Sequence, residues 1–153
     1  MKLYGTWDSP FTRRVGISLR LYDLPFELVE TPTSDRATLD PLNPLGRIPA
    51  LLLDDGAGGG EVLIDSVAIL DHLDEIVGPA RALVPASGER RRAVLRVVAV
   101  ALGVADKYVA AYYEETKRPE SHRWQPVRDR LADQVEAGLG WLAARLVDTR
   151  AGP

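Results

Sequence analysis

The chain has 153 residues, 46% of them apolar and 27% charged, with a formal net charge of −3. That is the size of one domain or two small ones, and enough to bury a real core. Cysteine is absent, which excludes disulfide staples, thiolate metal sites and thiol redox catalysis by the protein's own side chains.

In chain order, "KLYGT" and "FELVE" (Phe26 to Glu30) read as short strands. Between them, Arg13 to Leu24 predicts a helix, with Val15, Leu19 and Tyr22 at helical spacing and Ile17, Leu21 and Leu24 widening the stripe. Such a strand–helix–strand unit predicts parallel strands. Tyr4 is expected in the core. Ser9, followed by Pro10, is a standard way to start the helix. The same hydroxyl, at a helix end with free N–H groups, also suits an anionic ligand. Both readings stand at this point, with Thr6 and Thr12 as further hydroxyls nearby.

The stretch "TPTSDRATLDPLNPLGR" reads as loop with one irregular helix. "PALLL" and "EVLI" around "DDGAGGG" predict a β-hairpin. Gly58, Gly59 and Gly60 form a turn rather than a phosphate loop, because no Lys-Ser/Thr follows them. "DSVAILDHLDEIVG" predicts a helix capped by Ser66, with Ile69, Leu73 and Ile76 inward and Gly78-Pro79 as its stop. Asp65 is then a neighbour of the helix end. The acidic pairs Asp54-Asp55, Asp74-Glu75 and Glu114-Glu115 look like solvated turns and faces.

Residues 79–87 predict a linker, and two long helices follow it. The first, Arg90 to about Lys117, is apolar nearly all round, which predicts burial on all sides. The basic run "ERRRAVLR" (Glu89 to Arg96) has no interleaved aromatic residues, so it reads as a helix face and not as a nucleic-acid patch. The second helix, from about Ser121 to Leu146, carries one stripe: Trp124, Val127, Leu131, Val135, Leu139, Leu142 and Leu146. Residues 1–78 hold 6 Lys/Arg against 13 Asp/Glu, net −7, whereas residues 79–153 hold 13 against 9, net +4. Two units are therefore expected, 1–78 and 88–153. His72 and His122 lack ligand spacing, so no metal is expected. The longest apolar run, Val97 to Ala105, is too short for a bilayer, and no targeting segment is visible. These features lead to a cytoplasmic expectation without membrane or nucleic-acid partners.

Four motifs in this order, "SPFTRRV", "NPLGRIPAL", "IDSVAIL" and the helical part after a proline-containing linker, resemble the glutathione transferase superfamily, especially small bacterial members. The resemblance implies an α/β plus all-α protein: a thioredoxin-like N-terminal domain (βαβ-ββα) that binds glutathione, and a helical C-terminal domain. Family members carry further helices after the second long one, so a shortened helical domain is expected here. The resemblance implies Ser9 as the group that stabilises the glutathione thiolate. It also implies a cis Pro49 that presents the backbone of Ile48 to the cysteinyl part. Arg47 would reach the glycine carboxylate, Ser66 the γ-glutamyl carboxylate and Asp65 its ammonium. The electrophile site would involve Phe11, Tyr108 and Tyr112, with Tyr113 nearby. The implied activity is transfer of glutathione to a small apolar electrophile, or peroxide reduction, by a homodimer. The alternative is a non-enzymatic binding or regulatory module, or an inactive relative.

Overall fold

The computed structural model of the chain describes residues 1–54 and 59–150, excepting the side chains of Asp54 and of residues 146–150. It divides into two compact units, Met1–Ala86 and Ser87–Pro153. The first unit contains β1 (Lys2–Gly5), α1 (Pro10–Leu21), β2 (Glu27–Glu30), the single turn α2 (Arg36–Leu39), β3 (Ala50–Asp54), β4 (Gly60–Ile64) and α3 (Ser66–Val77). The sheet order is β2-β1-β3-β4. β1 and β2 are parallel, while β3 is antiparallel to both β1 and β4. This is the thioredoxin-like arrangement anticipated from the motif order. The turn between β3 and β4, with Asp55 and Gly58, lies outside the described residues, as does the side chain of Leu146.

Leu3 faces Leu51 across the β1–β3 pair, and both are fully buried. Val15, Leu19 and Tyr22 from α1 and its C-cap, with Ile69 and Leu73 from α3, complete the core on that pair. The buried stripes are narrower than the periodicity suggested. Ile17 and Leu21 are exposed, because they lie roughly 160° round the helix from Leu19. On α3, Leu70 and Val77 pack against the core. Ile76 falls just past the Ile69 edge of the buried arc and is exposed. Tyr4 is half-buried rather than a core residue.

Residues 79–86, a linker by composition, are tied to this unit. The Tyr22 hydroxyl donates to Asp74 Oδ1. Arg81 donates to the Tyr22 carbonyl at 2.6 Å. The Leu83 N–H donates to the Tyr22 hydroxyl at 2.7 Å, and the Val84 N–H to Asp74 Oδ2 at 3.1 Å. Asp74 is therefore an anchor, not the solvated charge its sequence context suggested.

The loop before β3 is organised by Asn43, which is 3% exposed. Its side-chain oxygen accepts from the Leu45 N–H at 2.9 Å, and its amide donates to the Arg47 carbonyl at 2.8 Å. Gly46 turns the chain at φ +57°, where a Cβ would lie 1.9 Å from Arg36 Nη1. The Ile48–Pro49 peptide bond that follows is cis.

The second unit is a helical hairpin: α4 (Gly88–Thr116), a 3₁₀ turn (Glu120–His122) and α5 (Gln125–Arg150). The helices approach closely where Gly138 meets Val104, since a Cβ there would lie 2.3 Å from Val104 Cγ2. Glu114 binds Arg118 at 2.8 Å and accepts from the Trp124 N–H at 3.0 Å, and Glu115 pairs with Arg128 at 3.0 Å. These glutamates fasten the connection between the helices instead of standing free in solvent. Arg145 stacks 3.3 Å from the Trp141 ring centroid, with Arg96 at 5.4 Å. Within this chain no residue of α4 is buried: one amphipathic partner, α5, does not cover a helix that is apolar all round. An all-round apolar sequence gives the helix no single inward face, and Leu95, Val97, Tyr108, Tyr112 and Tyr113 remain exposed.

Burial and the bond to Asp74 raise the Tyr22 pKa to about 12, against about 10 in an unfolded chain. The neutral phenol is favoured by folding, so its contribution is complete below about pH 10 and is lost as pH rises toward 12. The stability advantage of the wild type over Tyr22→Phe, measured by urea unfolding, is expected to shrink across that window; a constant gap would contradict the assignment. Asn43→Ala takes the side-chain partners from the Arg47 carbonyl and the Leu45 N–H and is expected to cost about 1–3 kcal/mol by the same measurement.

Candidate functional site

Ser9 ends the loop after β1 in extended conformation, and its Oγ accepts from the Thr12 N–H at 3.3 Å. Pro10 at the first helical position lacks the N–H that would otherwise go unsatisfied there. The cap uses one lone pair of the Ser9 oxygen and leaves its proton available to donate. The loop itself is pinned. Arg13 donates twice to the Trp7 carbonyl, at 3.0 and 2.8 Å, and Arg20 lies 5.1 Å from the Trp7 ring centroid. The indole covers Gly16, where a Cβ would meet it at 2.5 Å. The other two candidate hydroxyls are engaged or enclosed. Thr6 donates to Asp8. Thr12 is fully buried, and its Oγ1 has no partner among the described residues. Of the three hydroxyls, Ser9 alone combines partial exposure with a proton left to donate.

Phe11, in the first turn of α1, borders a groove whose wall also includes Asn43, Arg47, Ile48, Pro49, Asp65 and Ser66. Six residues singled out in three separate motifs thus meet in one place, while Ser9 stands two residues before Phe11 and is not part of the wall. Pro49 is buried, Ile48 is half-buried and the Arg47 side chain is exposed.

At α3 the capping roles differ from those expected. Asp65, not Ser66, is the N-cap: at φ +66° and ψ 132° its carboxylate turns back to accept from the Val67 N–H at 2.9 Å. Ser66 already has helical geometry and is 2% exposed. Its hydroxyl instead accepts from Arg14 Nη1 at 3.1 Å. Burial lowers the Arg14 pKa from its ordinary value, and the charge of Asp65 partly offsets this. Arg14 and Asn43 are the site residues that motif reading missed. The signals were the second arginine of "RR", next to the inward-facing Val15, and the turn-forming Asn-Pro dipeptide.

Tyr108 and Tyr112, one helical turn apart, line a cleft of about 660 Å³ between α4 and α5, with Val135 and Leu139. The Tyr113 ring sits 5.9 Å from that of Tyr112. Phe11, the third residue expected to meet the electrophile, belongs to the groove of the first unit. Among the described residues there is no group of three His, Asp or Glu placed to hold a metal ion, and no helix long and apolar enough to cross a membrane.

The family model of the glutathione S-transferase N-terminal domain matches residues 3–81. The GST-like protein YibF of Escherichia coli (strain K12) is 29% identical over 149 residues, covering 97% of this chain and 71% of YibF. Glutathione S-transferase U1 of Arabidopsis thaliana is 36% identical over 77 residues, 49% of this chain but 32% of the plant protein. Among solved structures, a glutathione transferase family member from Pseudomonas fluorescens Pf-5 with bound glutathione superposes at TM-score 0.79 and 34% identity, over 94% of this chain and 70% of that one. A glutathione S-transferase from Methylobacillus flagellatus, also with glutathione bound, gives 0.82 and 34%, over 92% and 67%. Profile, relatives and superposed folds agree over the unit that carries the groove, and the chain belongs to the glutathione S-transferase family.

Proposed function

We propose that this chain binds glutathione in the groove of its first unit and stabilises the thiolate for attack on a small apolar electrophile or a peroxide. The observation that carries the reading is the meeting of Arg47, Ile48, Pro49, Asp65 and Ser66 along one groove beside the start of α1. The glutathione-bound structures at 34% identity support it.

In this reading Ile48 offers its backbone N–H and C=O to the cysteinyl part, in the manner of an added strand. Ser66 holds the γ-glutamyl carboxylate at a helix N-terminus, and Asp65 pairs with the ammonium. Arg47 reaches the glycine carboxylate. Ser9 donates its free proton to the sulfur, next to the positive end of α1. A cysteinyl thiol titrates near about 8.5, and lowering that by one or two units needs roughly 1.4–3 kcal/mol. One hydroxyl donor and a helix end together reach this range.

The sulfur then forms its bond to the electrophilic carbon as the leaving group departs with the bonding pair. With a peroxide, sulfur attacks the O–O bond and releases the alcohol, and a second glutathione converts the resulting sulfenic acid to the disulfide and water. Residues 1–78 are the glutathione-binding part, and Phe11, on the groove wall, contacts the electrophile. A homodimer and a cytoplasmic setting complete the reading, the exposed apolar side chains of α4 giving the pairing its driving force.

The test is titration calorimetry with glutathione, then turnover of a small aryl or peroxide electrophile. Wild type is expected to bind glutathione at millimolar concentration or below. Ser9→Ala is expected to keep that affinity, raise the bound thiol's pKa and reduce turnover about 10- to 100-fold near neutral pH. The deficit should narrow as pH rises above the thiol pKa, where ionisation needs no help. Binding without turnover of either substrate class would leave a non-catalytic glutathione-binding module. No binding by folded protein would end the reading.

A further inference from the structure

Ser66 opens α3, yet the side chain that fixes its hydroxyl lies 52 residues earlier, on α1. A serine oxygen has two lone pairs and one proton, whereas a guanidinium has only donors. Arg14 therefore occupies a lone pair of Ser66, and the serine proton has nowhere to go on Arg14. It must be donated to an acceptor. The contact is charged on the donor side, which polarises the O–H and strengthens it as a donor. Arg14 is itself half-buried and Ser66 is 2% exposed, so water competes poorly for either group. Ser66 also borders the groove, as does Asp65, whose charge supports that of Arg14.

We propose that Arg14 is a positioning residue for the anion end of the groove. By holding Ser66 Oγ as an acceptor, it commits the Ser66 hydroxyl to donate to the γ-glutamyl α-carboxylate of glutathione, and it sets a positive charge behind that contact. This rests on the glutathione reading above. A residue that merely bridged α1 and α3 would affect all ligands alike; a residue acting through Ser66 discriminates between them.

Calorimetry on wild type, Arg14→Met, Arg14→Lys, Ser66→Ala and the Arg14→Met/Ser66→Ala double variant separates the two roles. The ligands are glutathione and its analogue in which hydrogen replaces the α-carboxylate, γ-aminobutyryl-cysteinylglycine. Arg14→Met is expected to weaken glutathione binding about tenfold or more, to change analogue binding by less than about twofold, and to leave the bound thiol's pKa unmoved. Its effect on glutathione should largely vanish in the Ser66→Ala background. Arg14→Lys, which keeps the charge but not the planar fork, should recover part of the affinity. Equal losses for both ligands, or the same loss with and without Ser66, would overturn the proposal. Should Arg14→Met fail to fold, Arg14→Lys still decides: weaker glutathione binding with unchanged analogue binding supports it, and any other pattern overturns it. Failure of the wild type to take up glutathione would remove the glutathione reading and this proposal together. Uptake by wild type that Arg14→Met leaves undiminished would remove the role of Arg14 alone.

Discussion

Strand direction is the constraint on which the site depends. β1 and β4 are each antiparallel to β3, so they point the same way, and each runs directly into a helix. α1 and α3 therefore start at the same end of the sheet, which is also where β3 begins, immediately after Ile48–Pro49. Packing both helices on the Leu3–Leu51 pair keeps them side by side. Three segments, the outer two starting at Pro10 and Ser66, consequently deliver their polar backbone ends to one edge.

What the core delivers, local polar bonds then shape. Asp65 sits at a positive φ unusual for a residue with a side chain, a conformation costing on the order of 1–3 kcal/mol. Its hydrogen bond to the Val67 N–H and the Arg14–Ser66 bond hold the turn in place. Asn43 does the same for the opposite wall through its two bonds to the loop. Both walls are thus held by polar side chains that are themselves fixed, which is what a site needs if it is to meet a ligand without first reorganising.

These features were unevenly legible in the sequence. The start of α1 could be read because Ser-Pro carries a local signal: the cap and the missing N–H concern only neighbouring atoms. The cap of α3 is not decided by the sequence, because Asp65 and Ser66 are both good caps by type and only the backbone angle at Asp65 separates them. The Arg14–Ser66 bond joins residues from different helices, and no local pattern encodes it. Ile17 and Leu21 match the stripe by apolar type, but their phase relative to Leu19, already written in the numbering, turns them outward. α4 was the hardest to read: its apolar residues surround the helix, so the pattern specifies that partners are wanted without specifying which side α5 takes.

Charge adds a last condition on the first unit. Residues 1–78 carry a net −7, an unpromising background for a tripeptide that is itself anionic. At physiological ionic strength that background fades over about 8 Å, so it opposes approach more than it opposes contact. Near the groove the balance differs: Arg47 is on its wall and Arg14 lies behind Ser66, against the single carboxylate of Asp65, while α1 has no acidic residue in its first turn. Long-range attraction contributes nothing to binding under these conditions, and whatever affinity the groove has comes from directional donors at short range. An anion of the wrong shape meets the same repulsion without the donors, so discrimination between anions rests on the donors and not on the acidic surface.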